Sequence, residues 1–210
     1  MISPGIIGAS QFNPAKLSGL AVWLDAQDAA TIALSGSAVT QWNNKGNAGV
    51  GDATQGTAIR QPKYIASAIN GKPALEGRHD GSNASNLAIA DHAGMNYTQM
   101  TLFAVLQRVT DLAASENPVA KFTTTGNQRE FNLQVNSIDH LVYNTSLDGT
   151  SGTVTFSSVS SPTTGVGTPV LSVSRYDGSN LNQRRIAAGS DVNATPSAKA
   201  GIFNGTSPFS

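Results

Sequence analysis

The sequence consists of short apolar runs separated by loops rich in Gly, Asn, Ser and Thr, and none of the runs has the length or the period of an amphipathic helix. Residues 130–136 alternate strictly between polar and apolar side chains, which is the period of a strand with one buried face. Residues 170–176, the Asp177-Gly178 turn and residues 181–188 predict a β-hairpin. The pattern predicts an all-β fold of many short antiparallel strands packed as a sandwich.

The most apolar segment, TLFAVLQRV at residues 101–109, predicts a strand buried on both faces at the centre of a sheet. The run LAVWL at residues 20–24 predicts a second buried strand, and residues 25–31 predict one short helical turn. Glu130 and Asn132 are expected on a wet or contact-making face. The predicted core combines the apolar residues of two strands: Leu102, Phe103, Val105, Leu106, Phe131, Leu133 and Val135.

The composition indicates one domain that binds neither nucleic acid nor membrane. A chain of 210 residues is long enough to bury a single substantial core. Charged residues make up 12% of the chain, and 13 basic side chains balance 13 acidic ones. No net field therefore attracts phosphate backbones or anionic lipid. The absence of cysteine excludes disulfides, thiolate metal sites and a Cys nucleophile.

Residues 1–13 are predicted to form an N-terminal arm before a domain at residues 14–210. Up to residue 12 the arm has no charged side chain and carries four large apolar ones, Ile2, Ile6, Ile7 and Phe12. These side chains are expected to pack on a neighbouring subunit, and the alternative is a frayed terminus. The arm lacks the basic and apolar regions of a secretory signal, so the chain is expected to be made in the host cytoplasm and carried outside by a particle.

Three segments in this order, PAKLSGLAVWLDAQ at residues 14–27, VTQWNNKGN at 39–47 and INGKPAL at 69–75, carry a family resemblance. Together they resemble the start of laminin-G-like, concanavalin A-like jelly rolls, which occur in bacterial surface proteins and in bacteriophage tail and virion proteins. The resemblance implies a two-sheet antiparallel jelly-roll sandwich over residues 14–210. Such domains normally continue with one or two further strands, so the domain is expected to be incomplete at its C-terminus or completed by a neighbouring subunit.

No enzymatic chemistry is predicted, and neither catalytic nor cofactor-binding nor metal-binding residues are assigned. The glucanases related to this fold carry paired carboxylates at close spacing on one strand, and no such Glu-x-Asp-x-x-Glu cluster occurs here. Asp25 and Asp28 are interpreted as helix caps, with a calcium or hydrogen-bonding site as the alternative. The pair Asp91-His92 suggests a metal ligand set, but solvated loop residues are the favoured interpretation.

Trp42, Asn43 and Asn44 form the candidate glycan contact, because an aromatic ring can stack on a sugar and amides suit sugar hydroxyls. The competing interpretation places Trp42 in the core. The predicted function is that of a structural or interaction component of a bacteriophage virion: a decoration, fibre or tail-associated protein. Its expected partners are other virion proteins and further copies of itself. The alternative is a glycan-binding module for adsorption to a host surface, and a glycoside hydrolase ranks third.

Overall fold

A computed structural model describes residues 13–80, 83–111, 115–138, 140–159, 165–187, 190–193, 197–198 and 201–210. Helical structure in these residues is limited to short 3-10 helices: Pro14–Lys16, Ala29–Thr31, Ala58–Arg60, Ala93–Met95, Thr125–Asn127 and Ser151–Thr153. The described strands are β1 Ile32–Ser35, β2 Ala38–Trp42, β3 Ala53–Thr54, β4 Lys63–Ile69, β5 Lys72–Glu76, β6 His79–Asp80, β7 Asn83–Ala84, β8 Met100–Leu106, β9 Glu116–Thr123, β10 Gln128–Val135, β11 Leu141–Ser146, β12 Val154–Val159, β13 Val170–Tyr176, β14 Asn180–Ala187, β15 Ser190–Asn193 and β16 Ser197–Ala198.

The strands form three larger antiparallel sheets and one small hairpin. The first sheet has the order β1-β2-β4-β5, with β3 beside β2. The second has the order β12-β11-β10-β9, and the third has the order β15-β14-β13-β8, with β16 beside β14. β6 and β7 pair only with each other among the described strands. The predicted all-β antiparallel fold is therefore confirmed.

The second and third sheets pack against each other through apolar side chains. Leu133, Val135 and Leu141 of the second sheet are buried against Leu102 and Leu106 of the third. A neighbouring cluster joins four buried residues of the same two sheets, Phe131, Tyr143, Tyr176 and Leu181. A third cluster lies beside the first sheet and contains Ala21, Val50, Ala53, Ile89 and Met95.

Several predicted strands are confirmed, including β13 with its predicted bounds and the hairpin with β14. The turn between them is held by the Asp177 carboxylate, which accepts hydrogen bonds from the amides of Ser179 and Asn180. The prediction for residues 20–24 is wrong, because this run joins no sheet. Its backbone instead pairs with a loop, as the Asn47 amide donates to the Leu20 carbonyl.

The prediction for β8 is also wrong. β8 lies at the edge of the third sheet, and its burial alternates instead of covering both faces. Phe103 and Val105 are 64% and 65% exposed, whereas Leu102 and Leu106 on the other face contact the core. A continuous apolar run indicates two buried faces only when both faces are covered by the same chain.

Residues 201–210 run along both the second sheet and the loop that follows β7. Phe209 exchanges two backbone hydrogen bonds with Ile89, and Ser210 exchanges two with Ala120 of β9. The Phe209 ring also packs 6.2 Å from the ring of Phe131. This C-terminal segment therefore brings the loop after β7 close to β9 and β10.

Candidate functional site

Asn44, one of the predicted glycan contacts, is a structural clamp in its loop. Its Oδ1 accepts hydrogen bonds from the backbone amides of Trp23 and Gly46, and its Nδ2 donates to the carbonyls of Ala21 and Val50. The loop packs so closely that a Cβ on Gly46 would lie 2.3 Å from the Ala21 carbonyl oxygen. A sugar would have to displace these bonds to use the Asn44 amide.

Trp42 and Asn43 lie beside Asn44, at the end of β2. Trp42 is half-buried against the cluster beside the first sheet, and its Nε1 is buried without a hydrogen-bond partner among the described residues. The Asn43 carboxamide oxygen accepts a hydrogen bond from the Gln41 side chain. The structure thus brings the three predicted residues together, while Trp42 presents no freely exposed ring. Their role in glycan binding stays a prediction.

Asp25 and Asp28 form ion pairs with Lys45 and neither caps the 3-10 helix that follows them, but Asp25 Oδ1 accepts a hydrogen bond from the Gln27 amide. The Asp28 side chain makes no capping hydrogen bond, and the Lys45 Nζ lies 2.8 Å from Asp28 Oδ2 and 3.2 Å from Asp25 Oδ2. The hydrogen bond from Lys45 to Asp28 is the main cause that raises the pKa of the ammonium group. Lys45 also lies 4.2 Å from the centre of the Trp23 ring, so the cluster holds the two chain segments together.

Asp91 and His92 point to different partners. His92 Nδ1 accepts a hydrogen bond from the Gly94 amide, whereas Asp91 forms an ion pair with Lys121. No group of three or more His, Asp or Glu side chains in the described part of the chain is arranged to hold a metal ion. No helix among the described residues is long and apolar enough to cross a membrane.

The outer face of the third sheet carries five neighbouring apolar side chains on three strands, with the exposed Arg184 opposite Val173. Register places Phe103 opposite Val173, and Leu171 lies between Val105 and Ile186. We call these five residues the outer apolar face. Ile69 at the β4–β5 turn lines one shallow groove together with Val105, Leu171 and Ile186. Phe103, Val105 and Ile186 are exposed, whereas Leu171 and Val173 are half-buried.

The inner face of the same sheet carries polar side chains at positions that alternate with the outer apolar face. Ser172 and Ser174 of β13 are fully buried, and Gln183 of β14 is 2% exposed. The same face also buries Val170 and Tyr176, so the inner face of β13 mixes polar and apolar side chains, while Arg175 is exposed beside the outer apolar face.

A buried ionic cluster lies between β9, β10, the loop after β7 and the C-terminal segment. The fully buried Lys121 Nζ lies 2.5 Å from Glu130 Oε2, 2.9 Å from Asp91 Oδ1 and 2.6 Å from the carbonyl oxygen of Gly205. The Gly205 amide in turn donates to Glu130 Oε2. We call Lys121, Glu130 and Asp91 the buried triad.

A β-bulge explains how Glu130 reaches this cluster. The register between β10 and β9 shifts between Arg129 and Phe131, so Glu130 has no residue opposite it on β9. Such bulges redirect side chains. Glu130 is fully buried and Asn132 is 3% exposed, so the predicted face is not wet at these two residues and instead makes contacts within the chain.

Burial governs the protonation of the Glu130 carboxyl. It raises the pKa of Glu130 to about 7, although the hydrogen bond and the charge of Lys121 both act to lower it. Glu130 Oε1 is buried and has no hydrogen-bond partner among the described residues. Burial, together with the charge of Glu130, raises the pKa of Tyr97 to about 12. The triad thus contains a carboxyl group that exchanges its proton near neutral pH.

We expect this carboxyl to make stability depend on pH. The folded state holds the Glu130 proton up to about pH 7, whereas the unfolded state loses it near 4.5, so the free energy of unfolding falls as pH rises through this window. The fall attributable to Glu130 should be about 3 kcal/mol. Denaturant unfolding of wild type and Glu130→Gln between these pH values measures it, and parallel profiles for the two proteins would contradict the assignment.

Comparison with known proteins adds no identification. No family model matches the chain, and neither a curated protein nor a solved structure matches it significantly. The candidate sites are therefore described by their own geometry.

Sequence reasoning missed both the outer apolar face and the buried triad. A lysine inside the apolar segment PVAKF at residues 118–122 was the available signal, because a charge in a buried strand requires a partner. The identity of that partner depends on a bulge and on a chain segment 84 residues away, at Gly205. Neither can be inferred from local periodicity.

Proposed function

We propose that this protein is a structural, non-enzymatic component of a bacteriophage virion, built on a concanavalin A-like jelly roll, and that it assembles through the outer apolar face. The decoration, fibre and tail-associated roles all fit this description. The resemblance of residues 14–75 to such domains supports the virion setting. The outer apolar face supports assembly, and it is the observation on which the proposal rests.

The edge position of β8 in the third sheet supports a role of the outer apolar face in assembly. β8 is an edge strand, and among the described strands it pairs only with β13. Its other edge offers backbone groups to a further strand, beside the exposed side chains of Phe103 and Val105. An extended apolar segment could bind such a strand through backbone hydrogen bonds and side-chain contacts together.

The N-terminal arm of a second copy is the occupant that best suits this surface. Residues 1–12 lie outside the described residues, and their sequence carries no charged side chain. An extended segment of this length spans up to about 40 Å, enough to reach a neighbouring subunit. Burying Ile2, Ile6, Ile7 and Phe12 would contribute about 6 to 10 kcal/mol before ordering costs. We therefore propose that the arm lies along β8 of a neighbouring copy.

Removal of residues 1–12 should weaken self-association. We expect the full chain to sediment as an oligomer of the 21.6 kDa unit. Deletion of the arm, or Phe103→Asp on the outer apolar face, should raise the dissociation constant by at least about 100-fold, because each removes one side of an apolar contact. Sedimentation velocity over a range of concentrations measures this change, and circular dichroism checks that each variant is folded.

Ile59→Asp is the matched control. Ile59 is 61% exposed, close to the value for Phe103, but it lies in the 3-10 helix Ala58–Arg60 and not on the third sheet. This variant should associate like wild type. A full chain that stays monomeric, or an arm deletion that leaves association unchanged, would overturn the proposed contact.

The alternative of a glycan-binding adsorption module rests on Trp42, Asn43 and Asn44. The Asn44 amide is committed to four internal hydrogen bonds, which disfavours this alternative relative to assembly. A glycan array on the purified chain tests it directly. Binding that Trp42→Ala abolishes while the fold persists would favour the glycan role.

A further inference from the structure

The buried triad places the Lys121 amine in contact with two carboxyl groups, one fully buried and one partly exposed. The Lys121 Nζ and the Glu130 side chain are fully buried, whereas the Asp91 side chain is 31% exposed. The Nζ lies 2.9 Å from Asp91 Oδ1, so it is within about 4 Å of the Asp91 carboxyl carbon. Proximity of this kind converts a slow reaction between separate molecules into an intramolecular one.

Glu130 is positioned to take a proton from Lys121. Its Oε2 lies 2.5 Å from the Lys121 Nζ, and its Oε1 is buried without a hydrogen-bond partner among the described residues. The carboxyl is thus in contact with the amine and has one oxygen free to accept or donate a proton. A group that exchanges protons near neutral pH is suited to general acid–base catalysis.

We propose that Lys121 and Asp91 form an intramolecular amide bond, with Glu130 transferring a proton. The inference goes beyond the proposed function and rests on none of its observations. It assigns a covalent modification to the buried triad.

The reaction needs no external reagent. The Lys121 ammonium passes one proton directly to Asp91 Oδ1, 2.9 Å away, and the neutral amine attacks the Asp91 Cγ to form the N–C bond. A second proton moves from nitrogen through Glu130 to the same oxygen, the C–O bond breaks, and that oxygen leaves as water. The ion pair thus becomes an amide plus one water, and Glu130 returns to its starting state.

The surroundings favour this outcome over the reverse reaction. Glu130 and the buried Phe131 lie on β10, and the buried Tyr143 lies on the neighbouring strand β11. Phe131 is opposite Lys121 of β9. The full burial of Lys121 and Glu130 limits the water that reaches an amide from their side, and the partial exposure of Asp91 gives the released water an exit. The new bond would link the loop after β7 to β9.

Intact mass spectrometry of the purified full chain tests the proposal. Loss of one water should place wild type about 18 Da below the mass calculated from its sequence. Glu130→Gln, which cannot transfer protons in this way, should keep its calculated mass, as should Asp91→Ala, which lacks the acceptor. Wild-type protein that is folded and keeps its full mass after prolonged incubation at neutral pH would overturn the proposal.

A tryptic digest identifies the two bonded residues. Trypsin should leave peptide 79–108, which contains Asp91, joined to peptide 109–129, which contains Lys121. A bond that joins residues 109–129 to residues 130–175 would place the amide on Glu130 and overturn the assignment. The ion pair between Lys45 and Asp28 is the matched control: its atoms are 2.8 Å apart, but both side chains are partly exposed. Peptides 17–45 and 46–60 should therefore appear separately.

Discussion

Replacing Lys121 by Met should destabilise the protein by about 3 to 5 kcal/mol, because it leaves the buried Glu130 carboxyl group and the Gly205 carbonyl without their shared hydrogen-bond donor. The Met side chain retains most of the volume of Lys121, so the loss reports charge and hydrogen bonding more than a cavity. Denaturant unfolding near neutral pH measures the change in the free energy of unfolding. The comparison is best made in an Asp91→Ala background, which removes the proposed amide bond from both proteins.

The double variant Lys121→Met/Glu130→Leu is the control for this prediction. Replacing both side chains by apolar groups removes the unpaired carboxyl group, so stability should recover to within about 1 to 2 kcal/mol of the reference protein. A Lys121→Met variant as stable as its reference would show that the buried ion pair makes no net contribution. Equal losses in the single and double variants would show that packing, and not charge, causes the effect.

Phe131→Ala should cost about 3 to 5 kcal/mol, whereas Phe103→Ala should change the stability of the subunit by less than about 0.5 kcal/mol. Phe131 is 1% exposed and contacts the rings of Tyr97 and Phe209, but Phe103 is 64% exposed. The same substitution thus compares a core aromatic with one on the outer apolar face. Both proteins should be measured in the arm-deleted chain, so that self-association adds nothing to the result.

The stability changes of Phe103→Ala and Phe131→Ala discriminate between an edge position and a central position of β8. A loss for Phe103→Ala as large as that for Phe131→Ala would return Phe103 to the core and make β8 a central strand. Small losses for both variants would contradict the packing of the second sheet against the third.

Period-two patterns predicted the positions of strands and the apolar residues that these strands bury. β13 was located with its bounds, and Phe131, Leu133 and Val135 of β10 are buried as predicted. The side-chain period identifies residues that share a face, although it does not show whether the opposite face is covered as well. The predicted all-β class followed from many such short segments.

The sequence predictions failed where the burial of a residue depends on contacts that the alternation of polar and apolar residues does not encode. β8 has the apolar sequence of a central strand, but it lies at an edge and exposes Phe103 and Val105. Glu130 has the spacing of a solvent-facing residue, and a bulge turns it inward. Residues 20–24 have the composition of a strand, but they pair with the loop that Asn44 organises. In each case a distant segment, or an uncovered surface, decides the environment.

Amide hydrogen exchange at β8 tests most directly whether the outer apolar face is an assembly interface. The amides of Met100–Leu106 that point away from β13 have no partner strand among the described residues, so they should exchange rapidly in a dilute, dissociated chain. We predict that their exchange slows as concentration rises and the chain associates, and that the arm-deleted chain shows no such slowing. Rapid exchange at β8 in an associated full chain, with protection appearing on another surface, would contradict the proposed interface.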